Sequence, residues 1–207
     1  MNGISVCRTR VGLASIKDPD TELVIWQRSL DPILQDWINK MDAASLPDLR
    51  ILAKPDEFRP ALESLLDACD FRTGDMRDRL VADVNDLVIA FANIIRGDYV
   101  DVRLESVSHD ACWKFHRDYV ETRLVTTYRG PATEWVRHAH AEQAMHEQRE
   151  FDGPLEHFGK GDVAIFKGSC ASANRGIVHR SPPIAGTGLT RLLLCLNQRT
   201  DTFSDPW

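Results

Sequence analysis

The sequence predicts an α+β fold, with helices from the N-terminal half packed on one side of a β-sandwich or jelly-roll from the C-terminal half. Two observations lead there. Apolar residues recur at three-to-four spacing between Leu30 and Arg96, and the period falls to two after Gly97. A run of helices followed by a run of strands, rather than an alternation of the two, is the order of an α+β chain. The expected division is 1–98, mainly helical and packed on the barrel, and 99–207, the β-rich core.

Each element has a local reason. Asp31-Pro32 makes a helix start, an N-cap acceptor followed by proline in the first turn, and Leu34, Trp37, Ile38 and Met41 follow along one face. A second helix is expected from Asp56 to about Asp70, carrying Phe58, Leu62, Leu65 and Cys69. In the third, Leu80, Val84, Leu87, Val88, Phe91 and Ile95 form an apolar stripe, and Gly97 supplies the C-terminal stop. Beyond it "YVDVRLESV", "CWKFH", "RLVTTYRG", "TEWV", "DVAIFKG", "GIVHRS" and "TRLLLCLNQ" are short β-branched or aromatic runs separated by turn residues. The polar segment 137–151 interrupts them as helix or loop.

Composition narrows the function classes. A formal charge of −6 gives no electrostatic footprint for nucleic acid. Five scattered cysteines without C-x-x-C spacing argue against a disulfide framework and for a reducing compartment. No apolar signal segment opens the chain, and "LVIAFANII" is about half the length a bilayer crossing needs. The expectation is a cytoplasmic protein with neither a nucleic-acid nor a membrane partner.

The chemistry centres on "CWKFHRDYV". Residues i and i+2 of a strand point to one side, about 6.5–7 Å apart, so His116 and Asp118 are placed to share a metal. Taken alone, the pair reads more readily as a satisfied strand histidine beside an exposed acid. A third ligand is required, and His179, which closes a strand-like run before a Pro-Pro turn, is the best supplier. Two histidines and one carboxylate on one side of a metal leave open positions on the other, the arrangement of non-haem iron(II) oxygenases. Further on, Arg191 heads the apolar run "RLLLCLNQ", with Leu193 and Cys195 on its face and Leu192, Leu194 and Leu196 on the other. A buried guanidinium needs an anion. A dicarboxylate co-substrate meets that need through a bidentate pair, as would an internal partner such as Glu121 or Asp162.

Taken in this order, "HRD … RLVTTYRGP … GDVAIFKG … GIVHRSPPIAGTGLTRLLLCL" resembles the iron(II)/2-oxoglutarate-dependent dioxygenase superfamily. "TYRGPATEW", "HRSPP" and the upstream "LVIWQR" bring it closer to a bacterial domain-of-unknown-function family. The resemblance implies a double-stranded β-helix (jelly-roll or cupin-like) as the C-terminal core and a hydroxylase-type activity with Fe(II) and 2-oxoglutarate. It also implies His116, Asp118 and His179 as metal ligands and catalytic centre, and Arg191 as co-substrate anchor, assisted by Tyr128 and Thr126. The prime substrate, a small molecule or a protein side chain, is left open. The alternative it implies is a metal-binding or sensing β-barrel module, linked to zinc homeostasis, that does not turn over 2-oxoglutarate.

Rival clusters are weaker. A helical 137–151 would point His140 and Glu142 about 200° apart, whereas His138, Glu142 and His146 would share one face, as a zinc stripe or, more ordinarily, a solvated surface. Glu134 and Trp135 read as capping and core residues, and Cys112 and Cys195 as small buried hydrophobes.

Overall fold

The computed structural model describes residues 3–171 and 176–199, so the last residues of the expected 99–207 core lie outside it. The strands are Ile4–Cys7 (β1), Leu23–Trp26 (β2), Leu49–Ala53 (β3), Val100–Val107 (β4) and Thr122–Arg129 (β5). They continue with Glu134–Val136 (β6), Glu156–His157 (β7), Val163–Lys167 (β8), Val178–Arg180 (β9) and Arg191–Gln198 (β10). The α-helices are Pro32–Lys40 (α1), Phe58–Ala68 (α2), Asp75–Ile95 (α3) and Ala141–Glu147 (α4). None is long and apolar enough to cross a membrane.

A seven-stranded sheet runs in the order β1-β2-β8-β5-β10-β4-β3, and a three-stranded sheet in the order β7-β6-β9. Every described pairing is antiparallel except β1 with β2. Period-two alternation sends the side chains of β2, β8, β5 and β10 to two different cores. Val24, Leu124, Val163, Ile165, Leu192, Leu194 and Leu196 join the buried faces of α1, α2 and α3. Their neighbours Leu23, Ile25, Val125, Ala164, Phe166 and Cys195 meet Trp135, Phe158 and Ile177 from the small sheet's side. The result is three layers: helices, large sheet, small sheet. A sheet apolar on both faces must be covered on both.

The helices follow their sequence signals. Asp31 accepts from Ile33 N at 2.8 Å with Pro32 in the first turn of α1, and Leu34 and Ile38 are buried. In α2, Leu66 takes the deeply buried place beside Phe58 and Leu62, while Leu65 is only partly buried. Cys69 lies past the end of α2 and is exposed. The α3 stripe is buried from Leu80 to Phe91 with Ile95 partly buried, and Arg96 (φ 54°), not Gly97, takes the left-handed turn that ends the helix.

Two expectations need correction. The N-terminal region is not only helical: β1, β2 and β3 belong to the large sheet, at its two edges, so the 98/99 division cuts through it. "CWKFH" is not a strand but a loop that touches the small sheet through one bridge, His116 to His179. Segment 137–151 is a short α4 flanked by 3-10 turns, with Ala141 and Ala144 buried against Phe115, Val136 and Val178.

Candidate metal centre

Backbone geometry brings the first two histidines together. His116 N donates to His179 O at 3.0 Å and His179 N donates to His116 O at 3.1 Å. Directly opposed residues of an antiparallel bridge project to the same side, and the two rings stand 4.6 Å apart. Asp118 follows two residues on. Its carbonyl accepts from Ser169 N at 2.8 Å and Ser169 Oγ at 3.0 Å, which ties the loop to the end of β8. Gly168 makes that approach possible. A Cβ there would lie 2.3 Å from Val120 O and 2.6 Å from Asp118 O.

One ligand atom from each of His116, Asp118 and His179 lies within 4.8 Å of the others, and no other trio among the described residues does the same. Asp118 and His179 are buried, and His116 is half-buried. His116 Nδ1 lies 2.7 Å from Lys114 O, and His179 Nδ1 lies 3.1 Å from Ile177 O. A carbonyl oxygen only accepts, so each Nδ1 carries the proton and each Nε2 presents a lone pair. Those lone pairs face a carboxylate: His116 Nε2 is 3.3 Å from Asp118 Oδ1, and His179 Nε2 is 3.3 Å from Oδ2. Acceptor faces acceptor unless a cation stands between them. Oδ2 also forms an ion pair with Arg123 Nη1 at 2.6 Å, but no donor is aligned on it for a hydrogen bond, and it is buried.

Without a metal, the cation is a proton. The hydrogen bond to Asp118 leads in raising the His116 imidazole above its ordinary value, against burial. Burial alone would raise the Asp118 carboxyl. The two facing imidazoles and the charge of Arg123 outweigh it and hold the group well below the usual carboxylate range. In metal-free protein the Asp118 share of this stabilisation is present above its ordinary 3.8 and is lost as pH falls through the depressed value. The His116 share is full below its ordinary 6.5 and is lost as pH rises through the raised value. The melting temperature of metal-free protein should therefore fall as pH is carried up through that raised value. Saturating Zn²⁺ should remove the fall, because a metal ion takes the proton's place. His116→Gln should show no such fall at all.

Arg191 lies on the same face of β10 as Leu193 and Cys195, as alternation requires, and is 1% exposed. Its Nε donates to Pro131 O at 2.8 Å, Nη1 to Ser181 Oγ at 2.6 Å and Nη2 to Thr133 Oγ1 at 3.3 Å. All three acceptors are neutral. Asp162 instead accepts from the backbone of Arg28 and Gly159, and Glu121 is exposed. Burial brings the Arg191 guanidinium down to about 10, against weaker opposing fields from Cys112, Glu134 and Glu105. Gly130 lets the preceding turn close on it. With φ at +79°, a Cβ there would meet Thr190 O at 2.7 Å.

A family model described as "Protein of unknown function (DUF1826)" matches residues 8–197. The chain belongs to the DUF1826 family. No curated protein matches it. Among solved structures, a Pseudomonas putida prolyl-4-hydroxylase aligns at 13% identity and TM-score 0.46, covering 91% of this chain and all of the other. A full-length Neurospora crassa protein in complex with alpha-KG aligns at 10% and 0.45, covering 94% and 78%. The Arabidopsis thaliana dioxygenase for auxin oxidation 1 aligns at 11% and 0.46, covering 100% and 99%.

In this DUF1826 chain the structure brings His116, Asp118 and His179 together and sets Arg191 on the face shared with the small sheet. Tyr128 and Thr126 are a correction. Thr126 pairs with Leu194, so it and Tyr128 point into the helical layer, away from Arg191. Tyr128 Oη donates to Asp83 Oδ2 at 2.6 Å, and the same carboxylate forks to Arg28 at 2.5 and 2.9 Å. Tyr128 is thus part of the packing of α3 on the sheet. Tyr128→Phe should lower stability by about 1.5 kcal/mol, the loss of a hydrogen bond to a charged group, and leave 2-oxoglutarate affinity unchanged. Thermal melts and a ligand titration check both halves. The rival cluster does not converge: His140 precedes α4, and Glu142 pairs with Arg117 at 2.8 Å.

Arg123, Ser181 and Thr133 were not singled out by sequence reasoning. Ser181 carried a signal, standing two residues after His179. Arg123 and Thr133 carried none: pairing register decides which way Arg123 points, and Thr133 lies in the loop just ahead of β6.

Proposed function

We propose that this protein is an Fe(II)- and 2-oxoglutarate-dependent oxygenase of the hydroxylase type. His116, Asp118 and His179 would be its metal ligands and Arg191 its co-substrate anchor, and the two facing sheets would form a double-stranded β-helix. The observation that carries the reading is the buried meeting of two Nε2 lone pairs with a carboxylate, one of whose oxygens has no hydrogen bond. Two imidazoles and one carboxylate suit first-row divalent ions and leave coordination positions for other ligands.

Iron(II) bound there would supply dioxygen activation coupled to oxidative decarboxylation of 2-oxoglutarate, the step protein side chains cannot perform themselves. The chain's own residues do the rest. The Lys114 and Ile177 carbonyls fix the imidazole orientations. Arg123 holds the Asp118 carboxylate in place. Arg191, held by three neutral acceptors, keeps an uncompensated charge for the distal carboxylate of 2-oxoglutarate. Phe166, 4.8 Å from the His179 ring, and the apolar layer around it exclude water.

A second reading has one observation in its favour: Arg123 already neutralises part of the Asp118 charge. On that reading the site holds a metal, as a sensing module would, without turnover. Anaerobic titration of 2-oxoglutarate into Fe(II)-loaded protein, followed by succinate analysis after admission of air, separates the two. Saturable binding and Fe(II)-dependent succinate are expected. Absence of binding by folded, metal-loaded protein would leave only the metal-binding module.

A further inference from the structure

Beside the metal centre is a cavity of about 740 Å³, within the range of small-molecule sites. Four arginines line it, Arg50, Arg103, Arg123 and Arg199, against two acids, Asp101 and Glu121. The chain as a whole carries a charge of −6, so this concentration of cations runs against its composition.

The acids do not cancel them. Asp101 is 2% exposed and already occupied: Arg50 reaches both its oxygens at 3.1 and 3.3 Å, and Asn197 Nδ2 donates to Oδ2 at 3.2 Å. Arg123 is committed to Asp118 at 2.6 Å and to Asn197 Oδ1, also at 2.6 Å. Arg103 reaches Asp101 only at 3.5 Å, and its buried Nε has no hydrogen bond. Arg199 lies over the Tyr99 ring, with no carboxylate of the described residues in ion-pair range. Of the lining acids that leaves the exposed Glu121, which forms no ion pair among the described residues, to oppose the guanidinium groups of Arg103 and Arg199. That cavity adjoins the metal centre, because Arg123 lines the one and touches Asp118 of the other.

We infer that this cavity seats an anionic group, a carboxylate or a phosphate ester, of the molecule acted on at the metal centre, with Arg103 and Arg199 as its principal contacts. Guanidinium forks match the planar oxygens of a carboxylate and the face of a phosphate. The inference deepens the proposed oxygenase reading and rests on it for the word substrate. The anion site itself is independent of metal and 2-oxoglutarate.

Cys170 is exposed and lines the cavity, which makes its thiol a reporter. Cys69, equally exposed but lining a different cavity, is an internal control. Metal-free full-length protein is treated with a maleimide, and labelling at each cysteine is followed by mass spectrometry. Succinate, inorganic phosphate and phenyl phosphate are compared with chloride at matched ionic strength. Slowing of Cys170 labelling several-fold and saturably, with Cys69 unchanged, is expected for at least one of the three. Succinate against the phosphates tells which chemistry the site takes. The Arg103→Gln/Arg199→Gln double variant should weaken that protection by about tenfold, the loss of a charge-assisted contact. Its melting curve shows whether it is folded, and Arg103→Lys alone should retain partial protection. No selective protection by any of the three anions would overturn the inference. Protection lost in Arg191→Gln yet kept in the double variant would also overturn it, by placing the anion in the co-substrate site. Neither outcome touches the oxygenase reading, which stands or falls on Fe(II)-dependent 2-oxoglutarate binding.

Discussion

Asp118→Ala should abolish metal binding, from a single bound ion in wild-type protein to none detectable by elemental analysis or by anaerobic titration with Fe(II) or Zn²⁺. Even residues that only orient metal ligands typically contribute ten- to a hundredfold to affinity, so a lost ligand should cost more than about a hundredfold. Arg123, whose guanidinium is 2.6 Å from Oδ2, would lose its carboxylate as well. Removing one partner of a buried pair destabilises by about 3 kcal/mol, so circular dichroism and melting must accompany the metal analysis. His116→Ala should also abolish binding without orphaning Arg123, and it serves as the cleaner variant. His140→Ala should bind metal as wild type does. Loss of metal on changing His140 but not His116 would mean the centre has been put in the wrong place.

Arg191→Lys should weaken 2-oxoglutarate binding by roughly ten- to a hundredfold, equivalent to about 1.5–3 kcal/mol for a charge-assisted pair, while metal content stays the same. Lysine keeps the charge and loses the fork. The guanidinium makes three separate hydrogen bonds, to Pro131 O, Ser181 Oγ and Thr133 Oγ1, which no ammonium in its place could reproduce in the same plane. Those acceptors are neutral, so the substitution breaks no internal ion pair, but the lost hydrogen bonds should lower the melting temperature as well. A large fall in stability with unchanged 2-oxoglutarate affinity would make Arg191 a structural residue and remove the anchor from the proposal.

How much of this could be read in the sequence depended on whether a feature was local. The cap at Asp31, the α3 stripe and the alternation of "RLLLCLNQ" depend on near neighbours, and each forms as its pattern requires. β2 did not declare itself. Leu23, Val24 and Ile25 are all buried, and a short strand covered on both faces has no alternation to betray it. The His-x-Asp was visible, but the reason given for it was incomplete. A strand was expected to carry both side chains, whereas a loop does so, held by one bridge and by Ser169. Tyr128 and Thr126 were misplaced because pairing register is a tertiary property: a shift of one residue sends every side chain to the opposite face. The Arg123–Asp118 contact links residues whose approach depends on the turn of the chain between them, and no spacing rule announces it.

The place of β10 has a consequence for how the chain can be made. It is the last described strand to be synthesised, yet it lies between β5 and β4 in the sheet. Until Arg191–Gln198 leaves the ribosome, the sheet can exist only as two parts, β1-β2-β8-β5 and β4-β3, each with an unpaired border. Open strand borders and uncovered apolar faces are what make incomplete chains aggregate. Pairings such as Leu23 with Phe166 add a long loop closure, which slows folding further. A chain shortened before β10 would lose the middle of its sheet rather than fray at a margin. Arg191 arrives with that same strand, so the residue assigned to hold the co-substrate enters only as the two parts are joined.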